Sequence, residues 1–182
     1  MAYSSKTQAA QDERYACAAA EYGDALERLS RAYEAEPDRR LDLLQDIHVA
    51  LWRSFARFHG GCSERTWVYR VAHNVAASHV RSQQRARAQG LTTLDEAAAQ
   101  AAPSQTDIEA EVGERRALDR LTALVQTLAP ADRQVVVLYL EGLDASTIGE
   151  VCGLTPGAVA TKIHRLKALL VQRFNHGGPR AA

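Results

Sequence analysis

Apolar residues recur at steps of three and four along Tyr15, Ala19, Tyr22, Leu26, Leu29 and Tyr33. That spacing keeps them on one stripe of an α-helix, so a helix that buries one face is expected here. Pro37 and Asp38 interrupt it, because proline lacks an N–H and clashes with the preceding turn. Leu41, Leu44, Ile47, Leu51, Phe55 and Phe58 repeat the pattern as a second helix, which Gly60-Gly61 closes; glycine readily takes the backbone angles found beyond a helix terminus. Ser63 offers a side-chain acceptor for a free N–H and can cap a third helix. That helix turns Val68, Val71, Ala72 and Val75 inward and reaches about Arg85.

Residues 86–112 change character. Ala, Gln, Thr and acids dominate, Pro103 stands in the middle, and large apolar side chains are scarce. Such a segment can bury little and reads as a tether between units free to move independently. A second helical unit starts near Glu114 with the stripe Leu118, Leu121, Leu124, Val125 and Leu128. Ala129-Pro130 breaks the stripe and starts the next helix, Ala131 to Glu141, which Gly142 ends. Asp144 can cap a short helix over Ala145 to Val151, followed by a turn at Cys152-Gly153-Leu154. Thr155 as cap and Pro156 at the first helical position open a last helix to about Phe174. The expected fold is all-α: two small helical domains joined by a flexible linker, the C-terminal one with a helix-turn-helix. Its parts are a disordered start over 1–12, a first domain over 13–88, a linker over 89–113, a second domain over 114–176 and a tail over 177–182.

Composition adds three points. The 182 residues are 46% hydrophobic, enough for real cores, yet no apolar run is long enough to span a membrane. With a polar start from Met1 to Asp12, this predicts a cytoplasmic protein without membrane insertion. Cys17, Cys62 and Cys152 are odd in number and far apart, which suggests reduced thiols rather than a disulfide framework. Formal net charge is zero, but the charge is not spread evenly. Between Trp52 and Arg87 seven arginines face one acid, Glu64, and between Gln89 and Gly113 five acids stand without a single Lys or Arg. A basic block beside an acidic segment averages to neutral and behaves as two surfaces. On charge alone, a solvated arginine-rich face is the simpler reading.

Two constellations carry chemistry. In the C-terminal unit, Ile148 and Val151 can meet Val159 and Ile163 across a three-residue turn containing Gly153, the spacing of a helix-turn-helix. The second of these helices shows Thr161, Lys162, His164, Arg165 and Lys167 outward, a set that fits a DNA major groove. Free N–H groups near Thr155 and Gly157 suit a phosphate. In the N-terminal unit, Trp67, Tyr69, Arg70, His73 and Asn74 crowd into two turns. Aromatic rings stack on unpaired bases and arginines hold the backbone, so this helix suits single-stranded DNA. For any one of these residues alone, a core or solvated role is the simpler reading.

At these residues the chain resembles the extracytoplasmic-function group of the sigma-70 family, the promoter-reading subunits of RNA polymerase. Asp42-Leu43-Leu44-Gln45-Asp46-Ile47, then Trp52-Arg53, then Arg65 through Ala76 looks like region two of that family. Leu128 through Arg133, Tyr139 through Leu143, Thr155 through Val159 and His164 through Lys167 resemble region four. The resemblance implies core RNA polymerase and promoter DNA as partners, no cofactor, and an anti-sigma factor that covers polymerase-binding surfaces. It implies that Asp42, Gln45 and Asp46 bind the clamp helices of the largest polymerase subunit. It further implies that Arg65, Trp67, Tyr69, Arg70, His73, Asn74, Ser78 and Arg81 melt and read the minus-ten element, with the Phe58-to-Ser63 loop. Thr155, Gly157, Thr161, Lys162, His164 and Arg165 would read the minus-thirty-five element. His73 stands where the family often has Arg, Ser78 where it often has Asp, and Ala160 where many members carry Arg.

Two other readings compete. A stand-alone helix-turn-helix regulator would account for the C-terminal half but not for Asp42 to Asp46 or the aromatic helix. An enzyme would need a catalytic constellation. The six histidines are scattered without the Cys or carboxylate neighbours of a metal site, and there is no phosphate loop or nucleophile elbow. No catalytic residue is therefore assigned.

Overall fold

The turn signals become helix ends. In the computed structural model, which describes residues 2–89 and 111–176, seven α-helices and no strand form among the described residues. They are α1 (Ala2–Tyr33), α2 (Pro37–Phe55), α3 (Glu64–Ala88), α4 (Glu111–Gln126), α5 (Pro130–Leu140), α6 (Ala145–Cys152) and α7 (Pro156–His176). Ser63 caps α3 by accepting from the Thr66 N–H at 3.0 Å. Asp144 caps α6 by accepting from the Thr147 N–H at 2.8 Å. Gly153 ends α6 at φ +71, in the left-handed region that favours glycine. The linker expected over 89–113 lies, from 90 to 110, outside the described residues, as does the tail from 177.

Helices α1, α2 and α3 make the first unit, around Leu26, Leu29, Leu43, Ile47, Leu51, Phe55, Val68, Ala72 and Ala76. Two expectations need correction. The start of the chain is not disordered through residue 12: α1 begins at Ala2. It is held to α2, because the Trp52 indole N–H donates to Asp12 at 2.8 Å and Gln11 donates to the Trp52 carbonyl at 2.6 Å. Nor does Leu41 join the core; it is 65% exposed, whereas Leu43 is buried. At about 100° per residue, three-residue steps drift around the helix, and six residues from Ile47 to Leu41 amount to roughly 240°. The buried row instead steps by four through Leu43, Ile47, Leu51 and Phe55.

Helices α4 to α7 make the second unit. Leu138, Leu143, Ile148, Val151 and Val159 pack together, with Ile163 against them, so the helix-turn-helix closes through the residues its spacing predicts. Leu118, assigned to the apolar stripe of α4, is instead 63% exposed. The approach of α6 to the start of α7 is so close that a Cβ on Gly149 would lie 2.5 Å from the Leu154 carbonyl oxygen.

The two units are packed against each other in this structure. Tyr69 of α3 is buried with Val135, Leu138 and Ile148, and Ala25 of α1 joins the same cluster. Leu26 and Tyr33 of α1 share a core with Val125, Leu128, Val136 and Val137. Polar contacts cross the same boundary. Arg28 donates both its Nε–H and an Nη–H to the Glu141 carboxylate at 2.7 Å each. Gln126 donates to the Arg31 carbonyl at 2.6 Å.

A buried polar chain runs beneath these contacts. His73 is 1% exposed; its Nδ1 is hydrogen-bonded to the Tyr33 hydroxyl at 3.0 Å, and its Nε2 has no partner among the described residues. The Arg133 guanidinium lies 5.2 Å from the Tyr33 ring centroid and donates to the carbonyls of Gln126 and Leu128 at the end of α4. Next to Tyr33, Glu34 accepts from the Glu36 N–H and is paired with His79 at 2.9 Å, with Gln83 donating to the same oxygen. Burial opposes ionisation of Glu34, but these hydrogen bonds outweigh it and hold its carboxyl down at about 2.

Two measurable consequences follow from this packing. Gly149→Ala should destabilise the chain by about 1–3 kcal/mol, because backbone on the far side must move to admit one methyl group; chemical denaturation measures this. Burial pushes the His73 imidazole down to about 3, so the unfolded chain binds a proton that the folded chain refuses. Folding stability should therefore fall as pH drops below about 6.5, with a slope approaching 1.4 kcal/mol per pH unit from this side chain. Glu34 adds its own loss only below its ordinary value of 4.5. His73→Gln should flatten the stability profile between those two values, as read by urea midpoints across pH.

Candidate polymerase and nucleic-acid surfaces

The acidic and amide side chains of α2 face outward. Asp42, Gln45 and Asp46 are all exposed, on the side opposite the buried Leu43 and Ile47, because steps of three and four keep them on one face. The same face carries two large apolar residues in solvent, Leu41 and Val49, at 65% and 40% exposure. Sequence periodicity assigned Leu41 to the core and singled out Val49 not at all. Their signal was positional: both sit within one turn of the polar trio.

Along α3 the assigned residues divide. Asn74, Ser78 and Arg81 are exposed, with Arg81 donating to the Ser78 hydroxyl at 2.9 Å. Trp67 is half-buried; its indole N–H donates to the Ser54 hydroxyl at 2.9 Å and its ring lies 5.3 Å from that of Phe58. Tyr69 is buried, and burial raises its hydroxyl pKa. His73 lies beneath Tyr33 and reaches no surface. Arg65 and Arg70 end on the second unit: Arg65 donates to the Glu141 carbonyl at 3.1 Å and Arg70 to the Glu150 carbonyl at 2.7 Å. Thr66, between them, reaches the Glu150 carboxylate at 3.4 Å.

On α7, Thr155, Gly157, Thr161, His164 and Arg165 are exposed and Lys162 is half-buried. Thr155 caps the helix, accepting from the Ala158 N–H at 3.3 Å, and the N-terminal turn of α7 carries no acid. Lys162 and Arg165 converge on one carboxylate, Asp132 at the start of α5; Lys162 donates to one oxygen and Arg165 to the other at 3.1 Å. Asp132 therefore orients the two cations that the helix-turn-helix spacing singles out. In the sequence it stands within the Leu128-to-Arg133 stretch that resembles region four, with no role assigned to it. The cysteines are free thiols, Cys17 exposed and the other two half-buried, and burial pushes the Cys152 thiol up to about 11. Among the described residues, no group of His, Cys, Asp and Glu could hold a metal ion, and no helix is long and apolar enough to cross a membrane.

Comparison with known proteins places both units. The family model described as Sigma-70 region 2 matches residues 19–86, and that described as Sigma-70, region 4 matches residues 118–170. The RNA polymerase sigma factor CarQ of Myxococcus xanthus is 33% identical over 125 residues, 68% of each chain. The ECF RNA polymerase sigma factor SigE of Mycolicibacterium smegmatis is 28% identical over 146 residues, 80% of this chain and 55% of its own. Among solved structures, CnrH in complex with the cytosolic domain of CnrY superposes with a TM-score of 0.66 at 18% identity over 96% of each chain. The sigma factor RpoE of Bartonella quintana, in complex with the anti-sigma factor NepR, superposes with a TM-score of 0.63 at 18% identity, over 91% of this chain and 98% of that one. The structural likenesses show that the fold is shared; the matching regions, in order along one chain, and the relative aligned over two thirds of its length show that this protein belongs to the extracytoplasmic-function group of the sigma-70 family.

Proposed function

We propose that this chain binds core RNA polymerase and directs it to promoters, with its surfaces divided among three tasks. The outward face of α2 docks on the polymerase clamp, Asp42, Gln45 and Asp46 meeting basic groups and Leu41 and Val49 giving the contact an apolar part. Helix α3 takes the unpaired strand of the minus-ten element: Trp67 and Tyr69 offer rings to bases, Arg65, Arg70 and Arg81 hold phosphates, and Asn74 and Ser78 offer hydrogen bonds. His73 supports that helix from within, through Tyr33. Helix α7 enters the major groove at the minus-thirty-five element with Thr161, Lys162, His164 and Arg165, while Thr155 and Gly157 present N–H groups to a phosphate. Catalysis is the polymerase's own.

The observation that carries this reading is the exposed Asp42, Gln45 and Asp46 face on the same three-helix unit as the aromatic and basic helix. A regulator that binds only duplex DNA has no use for either. CnrH and RpoE were each captured with a second protein, CnrY and the anti-sigma factor NepR. By that likeness the present chain works in the cytoplasm and is restrained by an anti-sigma partner.

Asp46→Arg should weaken binding to core polymerase at least tenfold while leaving helicity intact, because a cation would then face a basic surface; a core-binding titration beside circular dichroism reads both. At a promoter, Arg165→Ala should weaken closed-complex binding by about 1–3 kcal/mol. Asn74→Ala should spare that step and impair opening. Gel shift for closed binding and permanganate reactivity for opening, on holoenzyme, separate the two. Equal loss of duplex binding in both variants, with opening falling in proportion, would reduce the chain to a plain duplex-binding regulator.

A further inference from the structure

The cations of α7 are tethered by groups outside the helix. Lys167 donates to the Tyr139 hydroxyl at 3.2 Å and lies over the same ring, and Arg173 donates to the Thr127 hydroxyl at 3.0 Å. Lys162 and Arg165 differ from these, because they share one partner of opposite charge. Asp132 gives one carboxylate oxygen to the Lys162 ammonium and the other to an Nη–H of Arg165 at 3.1 Å. Three residues apart, the two side chains leave α7 on the same face. The side chains of Asp132 and Lys162 are 22% and 25% exposed, and that of Arg165 is 66% exposed. The carboxylate therefore sits at the base of the pair, and the guanidinium edge that Asp132 does not hold stands in solvent. Asp132 is itself fixed in the first turn of α5, where its N–H donates to the Ala129 carbonyl at 2.9 Å.

Lysine and arginine side chains are rich in rotamers, and ordering them on binding costs affinity. Here Asp132 has ordered both beforehand. Two cations and one carboxylate also sum to a single positive charge, so a phosphate is attracted less than by a bare pair and must compete with the carboxylate for N–H groups. A base edge need not compete. The guanidinium fork can keep one Nη on Asp132 and present its remaining N–H groups to guanine, whose two acceptors lie side by side in the major groove. We propose that Asp132 is a positioning residue for minus-thirty-five recognition: it stays on Lys162 and Arg165 in the DNA-bound form, aims the open edge of Arg165 at base pairs and keeps both cations from settling on phosphates. The proposal rests on the reading of α7 as the duplex-binding helix and adds to it a residue of α5 that makes no DNA contact of its own. Preference at the bases Arg165 meets then depends on where the carboxylate stands, and indifference to other DNA depends on its charge.

Substitutions at Asp132 separate position from charge. Holoenzyme assembled from core polymerase and the full-length chain is presented with a pool of random-sequence duplexes, and closed complexes are recovered in the cold and sequenced. Affinity is then measured for the duplex that the wild type enriches. Binding to a shuffled duplex is measured with the full-length chain alone, since polymerase has DNA contacts of its own. Asp132→Glu retains the charge but displaces the carboxylate by one methylene. It is expected to lower holoenzyme affinity for the enriched duplex about tenfold and to leave binding to the shuffled duplex unchanged. Asp132→Asn retains the shape and loses the charge. It is expected to raise binding to the shuffled duplex about threefold and to steepen its log–log salt slope by about 0.9, one phosphate contact. Arg165→Ala defines the base pairs at issue: enrichment there should vanish, and adding Asp132→Glu should remove nothing more. Unchanged affinity and preference in Asp132→Glu would overturn the proposal. So would a loss of preference at base pairs that Arg165→Ala leaves intact, since the carboxylate would then only brace α5 against α7, and so would an Asp132→Asn chain that binds the shuffled duplex no better. In all of these the wild-type holoenzyme still selects sequence. A wild type that enriches none overturns the functional reading, and this proposal with it.

Discussion

Helix α1 packs on two sides at once, and the organisation of the molecule depends on that. Leu26, Leu29 and Tyr33 share one core with residues of α2, α3, α4 and α5, while Ala25 joins Tyr69 in the cluster formed with α5 and α6. The contact that joins the two sides is the stack of Arg133 on Tyr33. A buried guanidinium is expensive unless its N–H groups are met. One Nη of Arg133 donates to the carbonyls of Gln126, the last residue of α4, and of Leu128 just beyond it, while its Nε has no partner among the described residues. One side chain thus closes the last turn of α4, fixes the angle at which α5 leaves it, and lays a flat cation on the ring whose hydroxyl is hydrogen-bonded to His73. Burial lowers the pKa of Arg133, opposed by Tyr33 and Glu34.

The zero net charge has a structural meaning in this light. Cations on both proposed DNA surfaces have oxygen partners within the chain: Arg65 and Arg70 on carbonyls of the second unit, Lys162 and Arg165 on Asp132. Binding DNA phosphates is therefore an exchange of acceptors. A protein whose arginines are bare releases counterions when it meets phosphate and gains affinity from their release. Of these partners only Asp132 is a carboxylate, while Glu141 and Glu150 meet Arg65 and Arg70 through neutral backbone carbonyls.

Most helices were legible because caps and breakers act locally. Ser63, Asp144, Gly153 and Pro156 each settle a helix end through one or two hydrogen bonds or a backbone angle, and a sequence window contains everything needed. The helix-turn-helix core was legible for the same reason, since Ile148, Val151, Val159 and Ile163 lie within sixteen residues. What could not be read was set by contacts distant in sequence. The first turns of α1 look polar and unanchored until Asp12 meets the Trp52 indole forty residues on. Asn74 remains exposed while His73 beside it disappears under Tyr33, because the path of α1 decides which face of α3 is covered. Leu41 and Leu118 fit a stripe by count but lie where no neighbour comes. The docking of the two units was the least legible of all, since Arg28 and Glu141 stand 113 positions apart and the motif that contains Glu141 does not point to Arg28.

The packed arrangement also conflicts with the geometry of a promoter. Elements named for positions minus ten and minus thirty-five lie about 25 base pairs apart, which is roughly 85 Å along B-form DNA at about 3.4 Å per pair. In this structure α6 touches both α3 and α7, so the two proposed DNA surfaces sit within a few helix diameters of each other, far short of that span. Both elements can be held at once only if the units separate. The 21 residues from 90 to 110 reach at most about 70–75 Å when fully extended, and the width of the two units covers the remainder. The chain is long enough to bridge the elements, but only after Arg28 releases Glu141 and Tyr69 leaves its slot. On the proposed assignment of the two DNA surfaces, the packed arrangement and simultaneous contact with both elements exclude each other.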